Sequence, residues 1–115
     1  MNNVTAKTGS VLKTDESVID EIVKRIVGSV SPKKIILFGS AARKTATAKS
    51  DIDILVVKDC TSRRDIAGKI YLSLIGVGRA VDIVVATTAD IKRYGNSPSL
   101  VLYPALKEGK VIYAS

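Results

Sequence analysis

Residues 39–53 hold most of the residue types in this chain that could do chemistry: Gly-Ser-Ala-Ala-Arg-Lys-Thr-Ala-Thr-Ala-Lys-Ser-Asp-Ile-Asp. The Gly39-Ser40 pair leaves one apolar run, Ile35 to Phe38. After ten further residues, Asp51 and Asp53 open a second run that continues through Val57. Two aspartates two positions apart at the start of a strand point to the same face. Adjacent carboxylates repel and are expensive to hold at the edge of a core, so a cation between them is the expected solution. A phosphate needs backbone N–H donors, and a Gly-Ser turn entering a helix supplies them. Metal and phosphate sites within one short segment point to phosphoryl or nucleotidyl chemistry.

These residues need strands and turns to position them. Three short apolar runs rich in β-branched residues read as strands: Ile35 to Phe38, Ile52 to Val57 and Val81 to Ala86. Apart from their aspartates they are apolar on both faces, as in a sheet covered by helices. If Gly39-Ser40 and the aspartates form one site, the first strand ends where the second begins, so the two are antiparallel. A link of more than twenty residues joins the second run to the third, which suits a parallel crossover. Asp82, near the start of the third run, then falls beside Asp51 and Asp53 at one rim of a mixed sheet.

The remaining elements frame that sheet. Residues 1 to 13 read as a flexible arm, and 14 to 115 as a single domain. A helix starts at Thr14-Asp15-Glu16, carries Val18, Ile19, Ile22, Val23, Ile26 and Val27 at helical spacing, and ends between Gly28 and Pro32. A second helix spans Arg64 to Leu74, with Ile66, Ile70, Tyr71 and Leu74 at helical spacing. Short helices are expected at Thr88 to Tyr94 and Pro98 to Leu106, and Lys110 to Ala114 reads as a last strand. The predicted class is α/β (α+β), a mixed sheet of about four strands flanked by helices.

Composition narrows the chemistry. The chain has no histidine, which removes Ser-His-Asp and Cys-His catalysis and most zinc sites with nitrogen ligands. Cys60 is the single cysteine, so there is no internal disulfide, and a reducing cytoplasm fits. Lys and Arg outnumber Asp and Glu by 18 to 11, and the net charge of +7 favours anionic partners. No apolar segment reads as a signal peptide or a membrane span.

Three carboxylates on adjacent strands can hold two Mg²⁺ ions roughly 3.5–4 Å apart. Mg²⁺ takes oxygen ligands and completes its coordination with water and substrate phosphates. On this reading Asp51 and Asp53 bridge both ions, while Asp82 binds the ion nearer an acceptor hydroxyl and takes its proton. Gly39 lets the backbone approach the phosphates, Ser40 adds a hydroxyl and an N–H, and Arg43 reaches a phosphate oxygen with its fork of donors. Ser50 either caps the turn into the second strand or touches a phosphate.

Leu37-Phe38-Gly39-Ser40-Ala41-Ala42-Arg43, followed by Ser50-Asp51-Ile52-Asp53-Ile54-Leu55-Val56, resembles the signature of the nucleotidyltransferase superfamily, the fold of the DNA polymerase β palm. The resemblance runs over residues 15 to 114, including the ending Glu108-Gly109-Lys110-Val111-Ile112-Tyr113, and the small size is similar to that of the minimal nucleotidyltransferases. It implies Mg²⁺-dependent transfer of a nucleoside monophosphate from a triphosphate, usually ATP. Many such proteins are similar to antitoxins that adenylylate a tyrosine of a helical HEPN-type toxin. By position, Asp51, Asp53 and Asp82 are then metal ligands, and Gly39 and Ser40 hold the nucleotide. Lys44 stands where members often carry glycine.

Two other classes are compatible with the composition. One is a basic adaptor that neutralises a partner by contact. The other is a nucleic-acid binder, which the small number of aromatic residues disfavours, since stacking platforms need several. Apolar residues on the outer helices leave a homo-oligomer open.

Overall fold

The computed structural model describes residues 15–39, 52–94 and 108–115. In chain order the elements are α1 (Asp15–Val30), β1 (Lys34–Phe38), β2 (Ile52–Val57), α2 (Arg63–Ser73), β3 (Val81–Ala86), α3 (Thr88–Tyr94) and β4 (Lys110–Ala114). The expected helix at Pro98 to Leu106 and the N-terminal arm lie outside the described residues.

Helix α1 forms around a stripe of β-branched residues at i, i+4, i+8 and i+12. Val18, Ile22, Ile26 and Val30 are all buried. A second stripe, Ile19, Val23 and Val27, packs half-buried beside it. Gly28 does not stop the helix. The left-handed position is taken by Ser31 (φ 49°), whose N–H donates to the Val27 carbonyl at 3.1 Å. Pro32 follows and cannot continue the helical ladder. Lys33 then donates to the Val57 carbonyl at 2.8 Å, and the chain enters the sheet.

Among the described residues the sheet has four strands in the order β3-β2-β1-β4. β1 and β2 are antiparallel, with Ile35 opposite Val56 and Phe38 opposite Asp53. β2 and β3 are parallel, with α2 in the connection. β4 returns antiparallel to β1, with an irregularity between Ile35 and Ile36. The mixed topology is the one that the shared rim requires, and the α+β class holds.

One face of the sheet packs on α1 and α2. Ile35, Leu37, Ile52, Ile54 and Val56 meet the α1 stripe and Ile70, Leu74 and Val77 there. The other face carries Ile36, Leu55 and Ala86, with Phe38, Val84 and Ile91 of α3 packed on them. β2 is therefore apolar on both sides because both sides are covered. Ile54 is fully buried at its centre. Ile54→Ala removes three carbons from a site that cannot collapse, and is expected to cost about 2–5 kcal/mol. Urea denaturation should show a lower midpoint with an unchanged slope.

The helix ends are held by specific polar contacts. Ser62 caps α2 by accepting from the Asp65 N–H at 3.2 Å. At the other end of α2, the Arg25 guanidinium donates to the Ser73 and Ile75 carbonyls at 3.2 and 2.7 Å while Glu21 holds it at 2.8 Å. These bonds satisfy carbonyls that a helix terminus leaves open. Tyr71 sits on the outer side of α2, 46% exposed, and its hydroxyl accepts the Ile83 N–H of β3 at 3.0 Å.

Candidate active site

The register of three strands places the candidate residues. Phe38, the last residue of β1, lies opposite Asp53, and Asp53 lies beside Asp82. Paired residues of adjacent parallel strands project to the same face about 4.8 Å apart, so the two carboxylates stand side by side. Asp53 is half-buried and Asp82 is exposed. Phe38, Leu55 and Val84 lie on the same face, so the charged pair sits at the rim of an apolar surface. Like charges so placed destabilise the sheet locally unless a cation neutralises them.

Gly39 follows Phe38 and turns the chain away with φ +73°. Its backbone lies directly against Asp53. A Cβ built at Gly39 would collide with Asp53 Oδ2 and lie 3.2 Å from Asp53 Cγ. The position therefore demands glycine twice, for its backbone conformation and for the space the aspartate takes. Of the residues singled out in the sequence, the structure brings together Gly39, Asp53 and Asp82. Ser40, Arg43, Ser50 and Asp51 lie outside the described residues. Among the described residues there is no cluster of three or more His, Cys, Asp and Glu side chains. The Asp53–Asp82 pair offers oxygen donors only, and a hard cation such as Mg²⁺ fits that donor set.

Contacts that the sequence reading missed anchor α3 on the face that carries the carboxylates. Thr87 and Asp90 form a reciprocal capping pair. Asp90 N–H donates to Thr87 Oγ1 and Thr87 N–H to Asp90 Oδ2, both at 3.0 Å. The Thr87 N–H bond, chiefly, holds the Asp90 carboxyl below its ordinary range, with help from Arg63 at 3.1 Å. The pattern Thr-x-x-Asp ahead of Ile91 was the available signal. Asp59, just past β2, receives the Thr88 N–H at 2.9 Å, the Thr88 hydroxyl at 2.8 Å and the Lys33 ammonium at 2.9 Å.

These donors, the Thr88 N–H first, lower the Asp59 pKa from 3.8 to about 2. A lowered carboxylate pKa contributes stability above the ordinary value, and this is lost as pH falls through the folded value. The hold of Asp59 on α3 should therefore be complete above about pH 4 and fade toward pH 2. The Thr88 amide resonance should titrate near pH 2, and Asp59→Asn should abolish that titration.

The nucleotidyltransferase domain family model matches residues 17–109 of the chain. Comparison with curated proteins finds no match. Among solved structures, a candidate nucleotidyltransferase of Sulfolobus solfataricus is similar over 84% of this chain and 78% of its own, at 23% identity and a TM-score of 0.58. A toxin–antitoxin structure with AMP-PNP is similar over 84% of this chain and 73% of its own, at 27% identity and a TM-score of 0.54. A mutant of the MntA-HpeT toxin–antitoxin is similar over 84% and 72%, at 24% identity and a TM-score of 0.53. The first and third of these bear on the fold alone. The match to the family model covers most of the chain and includes Gly39, Asp53 and Asp82. The chain belongs to the nucleotidyltransferase domain family.

Proposed function

We propose that the chain transfers a nucleoside monophosphate, AMP from ATP, to a hydroxyl acceptor, and that the acceptor is a tyrosine of a HEPN-type toxin for which this chain is the antitoxin. The observation that carries the reading is the register of Asp53 with Asp82 beside a glycine that only a bare backbone can occupy. Family membership supports the reaction class. The likeness to a toxin–antitoxin structure with AMP-PNP supports the adenine nucleotide and the kind of partner.

Asp53 and Asp82, joined by Asp51, would hold two Mg²⁺ ions. Bound there, Mg²⁺ supplies charge neutralisation for the triphosphate and a lowered pKa for the acceptor hydroxyl. The chain itself supplies position. Gly39 brings the backbone close to the phosphates without a side chain in the way. Ser40, Arg43 and Ser50 are the candidate phosphate contacts. The acceptor oxygen bonds to the α-phosphorus, and the α–β bridging bond breaks. Pyrophosphate leaves with that electron pair, and Asp82 takes the hydroxyl proton. Catalysis of this kind rests on orientation and electrostatics, which is why it runs without histidine.

The test is incubation of the chain with Mg²⁺, ATP labelled at the α-phosphate, and the protein encoded by the adjacent gene. Label is expected on a tyrosine of that protein, with release of pyrophosphate. Label on neither protein nor nucleic acid, with the triphosphate intact, overturns the reading.

A further inference from the structure

A groove of about 540 Å³ opens between the first half of α1 and the start of β4. Its floor is apolar: Ile19 and Val23 from α1, Leu37 from β1 and Ile112 from β4. Val111, 51% exposed, forms one lip. The floor explains the second stripe of α1. Ile19 and Val23 are half-buried because they turn past the core toward this groove.

The walls are charged with an unexpected sign. In a chain of net charge +7, the α1 wall presents two carboxylates one turn apart, Glu16 and Asp20. Neither forms an ion pair among the described residues. Lys110 stands across from them. From Glu16 to Val23 the α1 wall runs seven residues, about 10 Å, the length of two helical turns.

The location matters as much as the lining. Leu37 is two residues before Gly39 and pairs with Lys110. The groove therefore opens at the end of the sheet that carries Gly39, Asp53 and Asp82, but on the opposite face. A partner held there is anchored one sheet thickness behind the carboxylate rim.

We propose that this groove docks an amphipathic helix of a partner protein, with apolar anchors at i, i+3/i+4 and i+7 on the Ile19–Val23–Leu37–Ile112 floor and Lys or Arg side chains against Glu16 and Asp20. A helix in an apolar groove, oriented by a polar rim, is a recurring mode of recognition. Charge complementarity selects the occupant: the rest of this basic protein repels a basic helix, and this wall attracts one. The inference rests on the proposed toxin partner and adds a docking surface separate from the chemistry. A small domain would then gain affinity for its acceptor protein away from the reacting atoms.

The test uses the full chain and the purified protein of the adjacent gene. In the charge-reversal variant Glu16→Lys/Asp20→Lys, affinity measured by titration calorimetry is expected to fall at least about tenfold, with a slower association rate and a weaker salt dependence. The melting temperature should fall by only a few degrees, since both positions are exposed and the cost is confined to a cation in the first turn of α1. Asp53→Asn should bind the partner with wild-type affinity. Reversing the facing cations on the partner should restore binding to the double variant. Hydrogen exchange should show protection of α1 and β4 on complex formation. Wild-type affinity in the double variant overturns the proposal, and so does a wild-type chain that does not bind the partner. A self-associating chain whose dimer dissociates in the double variant also overturns it, by making the occupant a second copy. Retention of ATP by the double variant, measured in the same preparation, separates failure of the groove from failure of the transferase reading.

Discussion

Asp53→Asn is expected to lower nucleotide transfer by more than about 10³-fold while leaving the fold intact. The size follows from the role. A carboxylate that anchors a catalytic cation supports several kcal/mol of transition-state stabilisation, and each 1.36 kcal/mol is tenfold in rate. Asparagine has nearly the same shape but lacks the charge. Its effect on stability should be small, because the side chain keeps its shape and hydrogen-bonding capacity while one charge of the Asp53–Asp82 pair is removed. The diagnostic result is therefore a pair: transfer lost and melting temperature close to wild type. Transfer retained in a well-folded Asp53→Asn protein removes the metal role. A loss of both activity and stability shows instead that the carboxylate is structural. Chelation of divalent cations should reproduce the activity loss in the wild-type chain.

The second large effect is expected at Gly39. Gly39→Ala adds one methyl group, yet it faces two separate penalties. The backbone at φ +73° is a conformation that residues with a Cβ adopt at a cost of about 1–2 kcal/mol. The new methyl also meets the Asp53 carboxylate, which must rotate or move back along the strand. Displacing a catalytic carboxylate by about 1 Å is enough to lower a rate by roughly 10²-fold. Gly39→Ala should thus lose at least that much transfer and also melt earlier than wild type, whereas Asp53→Asn should melt close to it. A Gly39→Ala protein with normal transfer would mean that Asp53 has room to spare, and the close approach seen here would have no catalytic meaning.

Much of this was readable from residue order. The second strand was legible to the residue, Ile52 to Val57, because six residues that are apolar on both faces have few other places to go. The strand senses were legible once Gly39 and the aspartates were taken as one site, which makes β1 and β2 antiparallel, and the longer link to the third run suits a parallel crossover that brings the start of β3 to the start of β2. The end of α1 was less so. The helix was expected to end between Gly28 and Pro32 and does, but the left-handed position falls on Ser31 and not on Gly28, since tertiary packing of Val30 outweighs the local preference of Gly28. Tyr71 has helical spacing with Ile70 and Leu74, but it reaches out to a strand N–H instead of inward. Periodicity reports which side of a helix is apolar and carries no information about what a phenol oxygen can reach. The Lys33–Asp59–Thr88 junction joins residues far apart in the chain, and no local pattern encodes it.

The Tyr71 hydroxyl has a consequence for how this protein behaves when crowded. β3 is the outermost strand of the described sheet on its side, six residues long, with neither lysine nor proline in it. Such a border is a template on which a stray extended chain can add itself rung by rung and seed a fibril. With its oxygen on the Ile83 N–H, Tyr71 fills one of those rungs and sets a ring across the path of any incoming strand. A single phenol thus acts as a doorstop against self-templating, leaving a β-branched strand free to stay as apolar as the core behind it requires.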